Sequence, residues 1–213
     1  MEVNWFVNTT CNLDCPYCFR DRHAPNEDLA RMTDRAHMLI DGGATRVTIG
    51  GGEPLLHEHL EETLRILKEG NIFISLHTNG TRLIPRLERL AGLVDILSLP
   101  LDSTQEDENV ILRGRPYLKL IDRIQQAASP AFILAYKTVA TQVNADSIPL
   151  IHNVIDRTPF AYWKVYQYRP LHDGTRYRTL CDISDERFDI LARKLSAFDD
   201  SRIITVDRLA GHQ

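Results

Sequence analysis

Three of the four cysteines in the chain lie within eight residues, in the order Cys11, Cys15 and Cys18. Thiolates are soft ligands, which iron–sulfur clusters and zinc both accept. Three cysteines can bind three irons of a 4Fe–4S cluster and leave the fourth iron without a protein ligand. A structural zinc site would need a fourth cysteine or histidine at close spacing, and His23 is the nearest candidate. The spacing therefore favours a 4Fe–4S cluster, and a zinc-bearing structural module is the alternative.

A second group of residues, Gly50-Gly51-Gly52-Glu53-Pro54, follows a short apolar run that is typical of a strand. Glycines let a ligand approach the main chain closely. The Glu53 carboxylate can accept hydrogen bonds from an ammonium group, and Pro54 stiffens the turn. Many loops between a strand and a helix are rich in glycine, so this segment gains its meaning from the cysteine motif one strand and one helix earlier.

Composition narrows the classes of protein that fit. The chain has 213 residues, of which 43% are hydrophobic and 25% charged, as in ordinary globular proteins. Its net charge of −4 gives no indication of nucleic-acid binding. No run of about 18 apolar residues predicts a membrane span, and the amino terminus lacks the pattern of a signal peptide. We therefore expect a cytoplasmic protein, in which clustered cysteines favour metal over disulfides.

The elements that must position these residues follow from the hydrophobic pattern. Short apolar runs alternate with longer amphipathic stretches, and glycine, proline, asparagine or aspartate ends most of them. The predicted strands cover 3–8, 45–49, 72–77, 95–99, 132–139, 161–166 and 202–206, and the predicted helices cover 26–41, 58–69, 85–93, 118–128, 147–157 and 185–198.

This alternation predicts an α/β fold with parallel strands. Six strand–helix units fit before residue 170, which is too few for a closed eight-stranded barrel. We therefore expect an open, partial (β/α)6 TIM-like barrel in a single domain over 1–213, with a core over about 3–180 and a C-terminal helix and short strand over 184–213. The polar clusters follow the ends of strands, where parallel α/β folds place their sites.

Taken together, the cysteine motif and the Gly50–Pro54 segment resemble those of the radical S-adenosylmethionine (SAM) superfamily. The resemblance implies that the open iron binds the amino and carboxylate groups of SAM. It also implies that one electron, from a donor such as flavodoxin or ferredoxin, cleaves SAM to a 5′-deoxyadenosyl radical. That radical removes a hydrogen from a small substrate, while the protein supplies geometry and excludes water.

The same resemblance implies which residues bind SAM. Gly51, Gly52 and Glu53 would hold its amino group. An aromatic residue stands before the third cysteine, an Asn-Gly turn follows the third strand, an aspartate follows the fourth, and an arginine precedes a glycine in what reads as a loop. The residues so implicated are Tyr17, Gly51, Gly52, Glu53, Asn79, Asp102 and Arg113. Pro100 departs from the family, which often has serine there.

Within the superfamily, the chain resembles viperin and its prokaryotic viperin-like relatives. The resemblance lies in Val94–Arg115 and Tyr162–Gln167, with weaker support from Tyr136–Val139 and Cys18-Phe19. Viperin-like enzymes act on a nucleoside triphosphate. The radical takes the ribose 4′ hydrogen and water leaves from C3′, so that the product is a 3′-deoxy-3′,4′-didehydro nucleotide. The resemblance thus implies a lyase with a nucleotide substrate.

Three cationic residues, Arg46, Lys137 and Lys164, interrupt otherwise apolar strand patterns. A charge inside a mostly buried sheet is costly unless it is paired or faces a ligand. We therefore expect them to hold the triphosphate, although a residue near a strand end can also reach solvent. Around the end of the sixth strand, the residues expected to line the mouth of the site are Tyr166, Tyr168, Arg169, His172 and Arg176.

Other features keep a different substrate open. The chain ends at Gln213, where viperin-like enzymes continue with another strand and a C-terminal extension. Tyr168-Arg169-Pro170 also replaces apolar residues of that family. The alternative is therefore a radical SAM enzyme for another small molecule, such as a sugar or nucleoside. The absence of a second cysteine cluster argues against a peptide substrate, and Cys181 is expected to be a structural thiol.

Overall fold

A computed structural model of the protein describes residues 1–23, 26–128 and 131–208. Residues 209–213, which end the predicted C-terminal segment, and the side chain of His172 lie outside the described residues.

The fold is α/β, as predicted, with parallel strands in one sheet that follow chain order. The strands are β1 (Glu2–Asn8), β2 (Arg46–Gly51), β3 (Phe73–His77), β4 (Ile96–Pro100), β5 (Ile133–Ala140), β6 (Phe160–Gln167) and β7 (Ile203–Val206). The helices are α1 (Leu29–Asp41), α2 (Leu60–Glu69), α3 (Leu87–Leu90), α4 (Glu106–Arg113), α5 (Leu118–Ala128), α6 (His152–Ile155), α7 (Arg178–Cys181) and α8 (Asp185–Ser196). All seven predicted strands are confirmed.

Helix α4 is the main element that the sequence pattern missed. Its first turn carries three acidic residues, which are favourable beside the positive end of the helix dipole. Gly114 ends it with a φ of 74°, a left-handed conformation that glycine adopts without strain. Arg113 is therefore the last residue of a helix and not part of a loop. The predicted helices over 85–93 and 147–157 are each a short 3₁₀ turn followed by one helical turn.

Two compact, interleaved units make up the chain. The first contains residues 1–12, 21–99 and 123–133, and thus β1, β2, β3 and α1 to α3. In its sheet, Val47 and Ile49 of β2 pair with Ile74 and Leu76 of β3, and all four are fully buried. Helices α1 and α2 pack against each other and bury one apolar stripe each. This packing fixes the carboxyl ends of β1, β2 and β3.

Among the described residues, the second unit contains 13–20, 100–122 and 134–208, and thus β5, β6, β7, α4 and α6 to α8. Trp163 of β6 is fully buried and donates its indole N–H to Thr138 Oγ1 at 2.9 Å. Gln167 of the same strand donates to Asp185 of α8 at 2.7 Å. Because side chains alternate along a strand, Lys164 lies on the face of β6 opposite α8.

Candidate functional site

The cysteine segment, Cys11–Cys18, lies between β1 and α1. Cys11, Cys15 and Cys18 are not joined in disulfides, and each is partly exposed. The N–H of Cys18 donates to the carbonyl of Cys15 at 3.0 Å, so the last two cysteines share a tight turn. Among the described residues, no group of three His, Cys, Asp or Glu side chains is placed to hold a single metal ion. A 4Fe–4S cube instead takes each thiolate at a different iron, and a donor set of three accessible thiols fits that group.

Two glycines fix where the cysteine segment begins. A Cβ on Gly51 would lie 2.3 Å from the carbonyl oxygen of Asn8, and one on Gly52 would lie 2.2 Å from that of Thr10. Gly52 N–H donates to Asn8 O and Glu53 N–H donates to Thr10 O, both at 2.8 Å. The glycines therefore allow the end of β2 to dock directly on the main chain that leads into Cys11. Gly51 also has a φ of 136°, which only glycine adopts without strain.

The Glu53 carboxylate is fully buried and joins the end of β2 to the end of β3. Its Oε1 accepts hydrogen bonds from Leu55 N–H at 2.9 Å and from the Thr78 hydroxyl at 2.7 Å. Its Oε2 accepts one from Asn79 N–H at 2.6 Å. Burial raises the pKa of this carboxyl group, and the three hydrogen bonds act in the opposite direction. Three of the roughly four acceptor sites of the carboxylate are thus occupied by the protein itself.

Asn79 lies beside the first cysteine. Its side-chain nitrogen Nδ2 is 3.7 Å from Cys11 Sγ and 2.9 Å from Asn12 Oδ1. Its Oδ1 accepts hydrogen bonds from the N–H of Thr81 at 3.0 Å and from the Thr81 hydroxyl at 2.6 Å. The turn after β3 is therefore built around the cysteine segment, which its Asn-Gly sequence alone did not show.

In the second unit, three of the residues predicted to bind SAM form a triangle, in which Asp102 and Arg113 are buried and Tyr17 is partly buried. The Tyr17 hydroxyl donates to Asp102 Oδ2 at 2.6 Å, and Arg113 Nη2 lies 2.6 Å from the Tyr17 oxygen and 2.7 Å from Asp102 Oδ2. Arg113 is 3% exposed and lies over the Tyr117 ring at 4.5 Å. Within the described part of the chain, its Nε has no hydrogen-bond partner. Within the second unit, the triangle ties residues 13–20 to the residues after β4 and to the end of α4.

Burial and charge set the protonation states of this triangle. Burial raises the pKa of the Tyr17 phenol well above its usual value of 10.0, so the hydroxyl stays neutral and donates. Burial opposes a charge on Arg113, but Asp102 and the two tyrosines raise the pKa of its guanidinium well above the usual 12.5. Arg113 therefore stays a cation in a nearly dry site.

Lys137 of β5 and Lys164 of β6 are register partners on neighbouring parallel strands. Both are partly buried. Lys137 Nζ lies 5.8 Å from the centre of the Tyr166 ring, and Lys164 Nζ lies 5.1 Å from that of Tyr162. Burial, and next the charge of Lys164, lowers the pKa of Lys137 from its usual 10.5 to about 7. The two amines therefore lie on the same face of the sheet, and Lys137 loses its proton more readily than an ordinary lysine does.

Two of the predicted substrate ligands lie elsewhere. Tyr168 is 0% exposed, so the prediction that it lines an open mouth is wrong. Its N–H pairs with Ala140 O at 3.0 Å, which continues the β5–β6 pairing beyond β6 and places the residue in the core. Arg46 begins β2, at the end of the strand opposite Gly51. It pairs with Glu2 at 3.1 Å and stacks over Phe73 at 4.1 Å, so its charge is already balanced and we do not propose it as a phosphate ligand.

Cys181 is fully buried at the end of α7. Burial, together with the nearby charge of Asp102, raises the pKa of its thiol to about 12. A thiol in such a setting is inert, in keeping with the expected structural role.

Residues 5–136 match the family model of the Radical SAM superfamily. The chain belongs to the radical SAM superfamily. Its curated relatives include a GTP 3′,8-cyclase of Chlorobaculum tepidum, 28% identical over 212 residues that cover 93% of this chain and 62% of the relative. They also include an S-adenosylmethionine-dependent nucleotide dehydratase of Lacinutrix mariniflava, 26% identical over 193 residues that cover 80% of this chain and 39% of the relative. The chain thus spans less than two thirds of the length of either relative.

Solved structures share the fold. SuiB of Streptococcus suis bound to S-adenosylmethionine has a TM-score of 0.78 at 20% identity, covering 97% of this chain and 50% of that chain. Coproporphyrinogen III oxidase (HemN) of Escherichia coli has a TM-score of 0.70 at 12% identity, covering 93% and 51%. These likenesses confirm the predicted fold class. Members of the superfamily are enzymes whose cofactors are a 4Fe–4S cluster and SAM.

The described residues include no helix that is both long and apolar enough to cross a membrane.

Proposed function

We propose that the protein is a viperin-like radical SAM enzyme that acts on the ribose of a nucleoside triphosphate and forms a 3′-deoxy-3′,4′-didehydro nucleotide. Cys11, Cys15 and Cys18 would hold the 4Fe–4S cluster. When bound, the cluster and SAM supply the 5′-deoxyadenosyl radical that removes a hydrogen atom from the substrate. The protein itself binds and orients the substrate and excludes water.

The residues that we propose to bind SAM belong to two groups. At the end of β2, the close approach of the glycines to β1 sets the main chain beside Cys11. After β4, the guanidinium of Arg113 stays charged, and its Nε–H has no partner among the residues that the structure describes, which suits a carboxylate. The full proposed set is Tyr17, Gly51, Gly52, Glu53, Asn79, Asp102 and Arg113.

The pairing of Lys137 with Lys164 is the observation that supports a nucleotide substrate. Like charges directly opposite each other on neighbouring strands destabilise a sheet. Burial, and next this repulsion from Lys164, lowers the pKa of Lys137. A polyphosphate placed against both amines would remove the cost, because its oxygens accept hydrogen bonds from both. The names of both relatives, which refer to GTP and to a nucleotide, agree with this substrate class.

The direct test uses anaerobically reconstituted protein with SAM, dithionite and each nucleoside triphosphate in turn. We expect one triphosphate to stimulate formation of 5′-deoxyadenosine and to appear as a product lighter by one water. Lys137→Met and Lys164→Met should raise the KM for that triphosphate, while Lys194→Met on the exposed side of α8 should not. If no triphosphate stimulates 5′-deoxyadenosine, or if both variants keep full activity on a substrate without phosphate, the nucleotide assignment is wrong.

A second reaction, cyclisation of GTP, is favoured by the 28% identity to the GTP 3′,8-cyclase over 93% of the chain. The same assay separates the two reactions by mass, because bond formation between positions 3′ and 8 does not require the loss of water. An unchanged nucleotide mass together with consumption of GTP would favour cyclisation over dehydration.

A further inference from the structure

We propose that Asn79 is a positioning residue for the iron–sulfur cluster. Its side-chain amide donates an N–H to the sulfur of Cys11 and thereby raises the reduction potential of the cluster. This inference rests on the proposed ligation of the cluster by Cys11. It gives Asn79 a role at the metal in place of, or in addition to, the contact with SAM that the family resemblance implies.

The hydrogen-bonding pattern fixes which end of the amide faces the sulfur. The Thr81 N–H and hydroxyl both point to one atom of the Asn79 amide, at 3.0 and 2.6 Å. A main-chain N–H needs an acceptor, so that atom is the oxygen. The other atom is then the NH2 group, whose two hydrogens meet the acceptor oxygen of Asn12 at 2.9 Å and Cys11 Sγ at 3.7 Å. The donor toward the thiolate is therefore dictated by its surroundings.

The amide is also held from behind. The N–H of Asn79 donates to Glu53 Oε2 at 2.6 Å, and Thr78 donates its hydroxyl to Oε1 of the same carboxylate. Glu53 is fully buried, and Asn79 is only 9% exposed. A donor fixed in this way acts on a metal ligand with little reorganisation, which is how partners outside the ligand set orient and tune a metal site.

The sign of the effect follows from charge. Reduction adds an electron to the cluster, and part of the added negative charge resides on its thiolate ligands. A positive N–H dipole that points at one sulfur therefore stabilises the reduced form more than the oxidised form. Hydrogen bonds to the sulfurs and exposure to solvent are among the factors that set the potentials of such clusters. Removing the donor should make the cluster harder to reduce.

The experiment is an EPR-monitored redox titration of the reconstituted protein without SAM. In Asn79→Leu, we expect the ratio of reduced to oxidised cluster at the wild-type midpoint to fall by about threefold or more, where about tenfold corresponds to 59 mV for one electron. Thr81→Val is the control. It removes the hydroxyl that donates to the Asn79 oxygen and accepts from Asn12 Nδ2, but it keeps the Thr81 N–H on that oxygen and the donor at Cys11. An Asn79→Leu midpoint equal to that of the wild type and of Thr81→Val would overturn the inference.

A second measurement uses the unaltered chain. In the reduced protein with ¹⁵N in its asparagine side chains, pulsed EPR should detect a hyperfine coupling between the cluster and one amide nitrogen. If Asn79→Leu takes up no cluster, this coupling decides the matter by itself, and its absence would refute the contact. Iron analysis keeps the two proposals apart. If the wild type assembles no 4Fe–4S cluster, or if Cys11→Ala keeps one, the failure lies with the proposed function and not with Asn79.

Discussion

Replacing Lys137 with methionine should weaken nucleotide binding by a factor that depends on pH. In the folded protein, burial and the charge of Lys164 lower the pKa of Lys137 from 10.5 to about 7. At 1.36 kcal/mol for each pH unit, this difference corresponds to about 5 kcal/mol that disfavours the ammonium form. The amine is therefore charged below pH 7 and neutral above it when no anion is near.

A bound phosphate reverses that preference. Its negative oxygens favour the ammonium form and raise the pKa of Lys137 back toward 10.5. Between pH 7 and the pKa in the complex, nucleotide binding then takes up one proton, and the affinity falls by up to about tenfold for each pH unit. Tyr166, whose ring faces the amine, has a pKa of about 12 and stays neutral in this range. In Lys137→Met, the affinity should be weaker at pH 7 and nearly independent of pH above it.

Isothermal titration calorimetry of nucleotide binding between pH 7.5 and 9.0 measures both effects. Two buffers with different ionisation enthalpies report the number of protons taken up. Because the last proton of a phosphate monoester leaves at about pH 6, the ligand itself changes little in this range. Lys164→Met should shift the onset of the pH dependence to higher pH, because removing the neighbouring charge raises the pKa of Lys137 in the free protein. Lys194→Met should behave as the wild type. Equal slopes in Lys137→Met and the wild type would refute the reasoning.

Three further substitutions test other parts of the site. Gly51→Ala should lower the free energy of unfolding in urea by about 2–4 kcal/mol, because its Cβ would meet the main chain of β1 at 2.3 Å. The control is Gly92→Ala, where φ is positive but the space is open, and it should lower the same free energy by about 1 kcal/mol. Equal losses of stability in the two variants would show that the close approach is not the cause. Asp102→Asn should destabilise the fold by about 3 kcal/mol in the same assay, because Arg113 would be left buried without its carboxylate. Tyr168→Phe should leave the nucleotide Kd unchanged, because the residue has no exposed surface; a weaker Kd would return it to the site.

Hydrophobic periodicity was enough to predict the strands, because each strand is a short apolar run with a clear stop. Helix α4 escaped the same method. Its eight residues carry three acids and few apolar positions, so its signals are a charged first turn and a glycine after its end, and not an apolar stripe. Pro85 and Pro149 mark the two regions where long predicted helices turned out to be short turns.

The residues of the sequence motifs could be predicted, but the contacts that they make with distant parts of the chain could not. The bonds from Glu53 to Thr78 and Asn79 join residues 25 and 26 positions apart, and no local pattern reports them. Arg46 and Lys137 both interrupt apolar strands. The predicted strand over 45–49 placed Arg46 near its start, but nothing in the local pattern reports the pairing of Arg46 with Glu2. Tyr168 was expected at the mouth because it follows the end of the predicted sixth strand, whereas its continued pairing with β5 places it in the core.

The contacts that fix the cysteine segment also determine when, during synthesis on the ribosome, the site can form. Cys11 is synthesised early, but the partners around it come later: Gly52 and Glu53 fix the main chain before it, and Asn79 meets its sulfur. A nascent chain that has not yet emerged to Thr81 therefore lacks residues that fix the main chain before Cys11 or contact its sulfur. The machinery that loads the cluster gains a defined target only once the first three strands have left the exit tunnel.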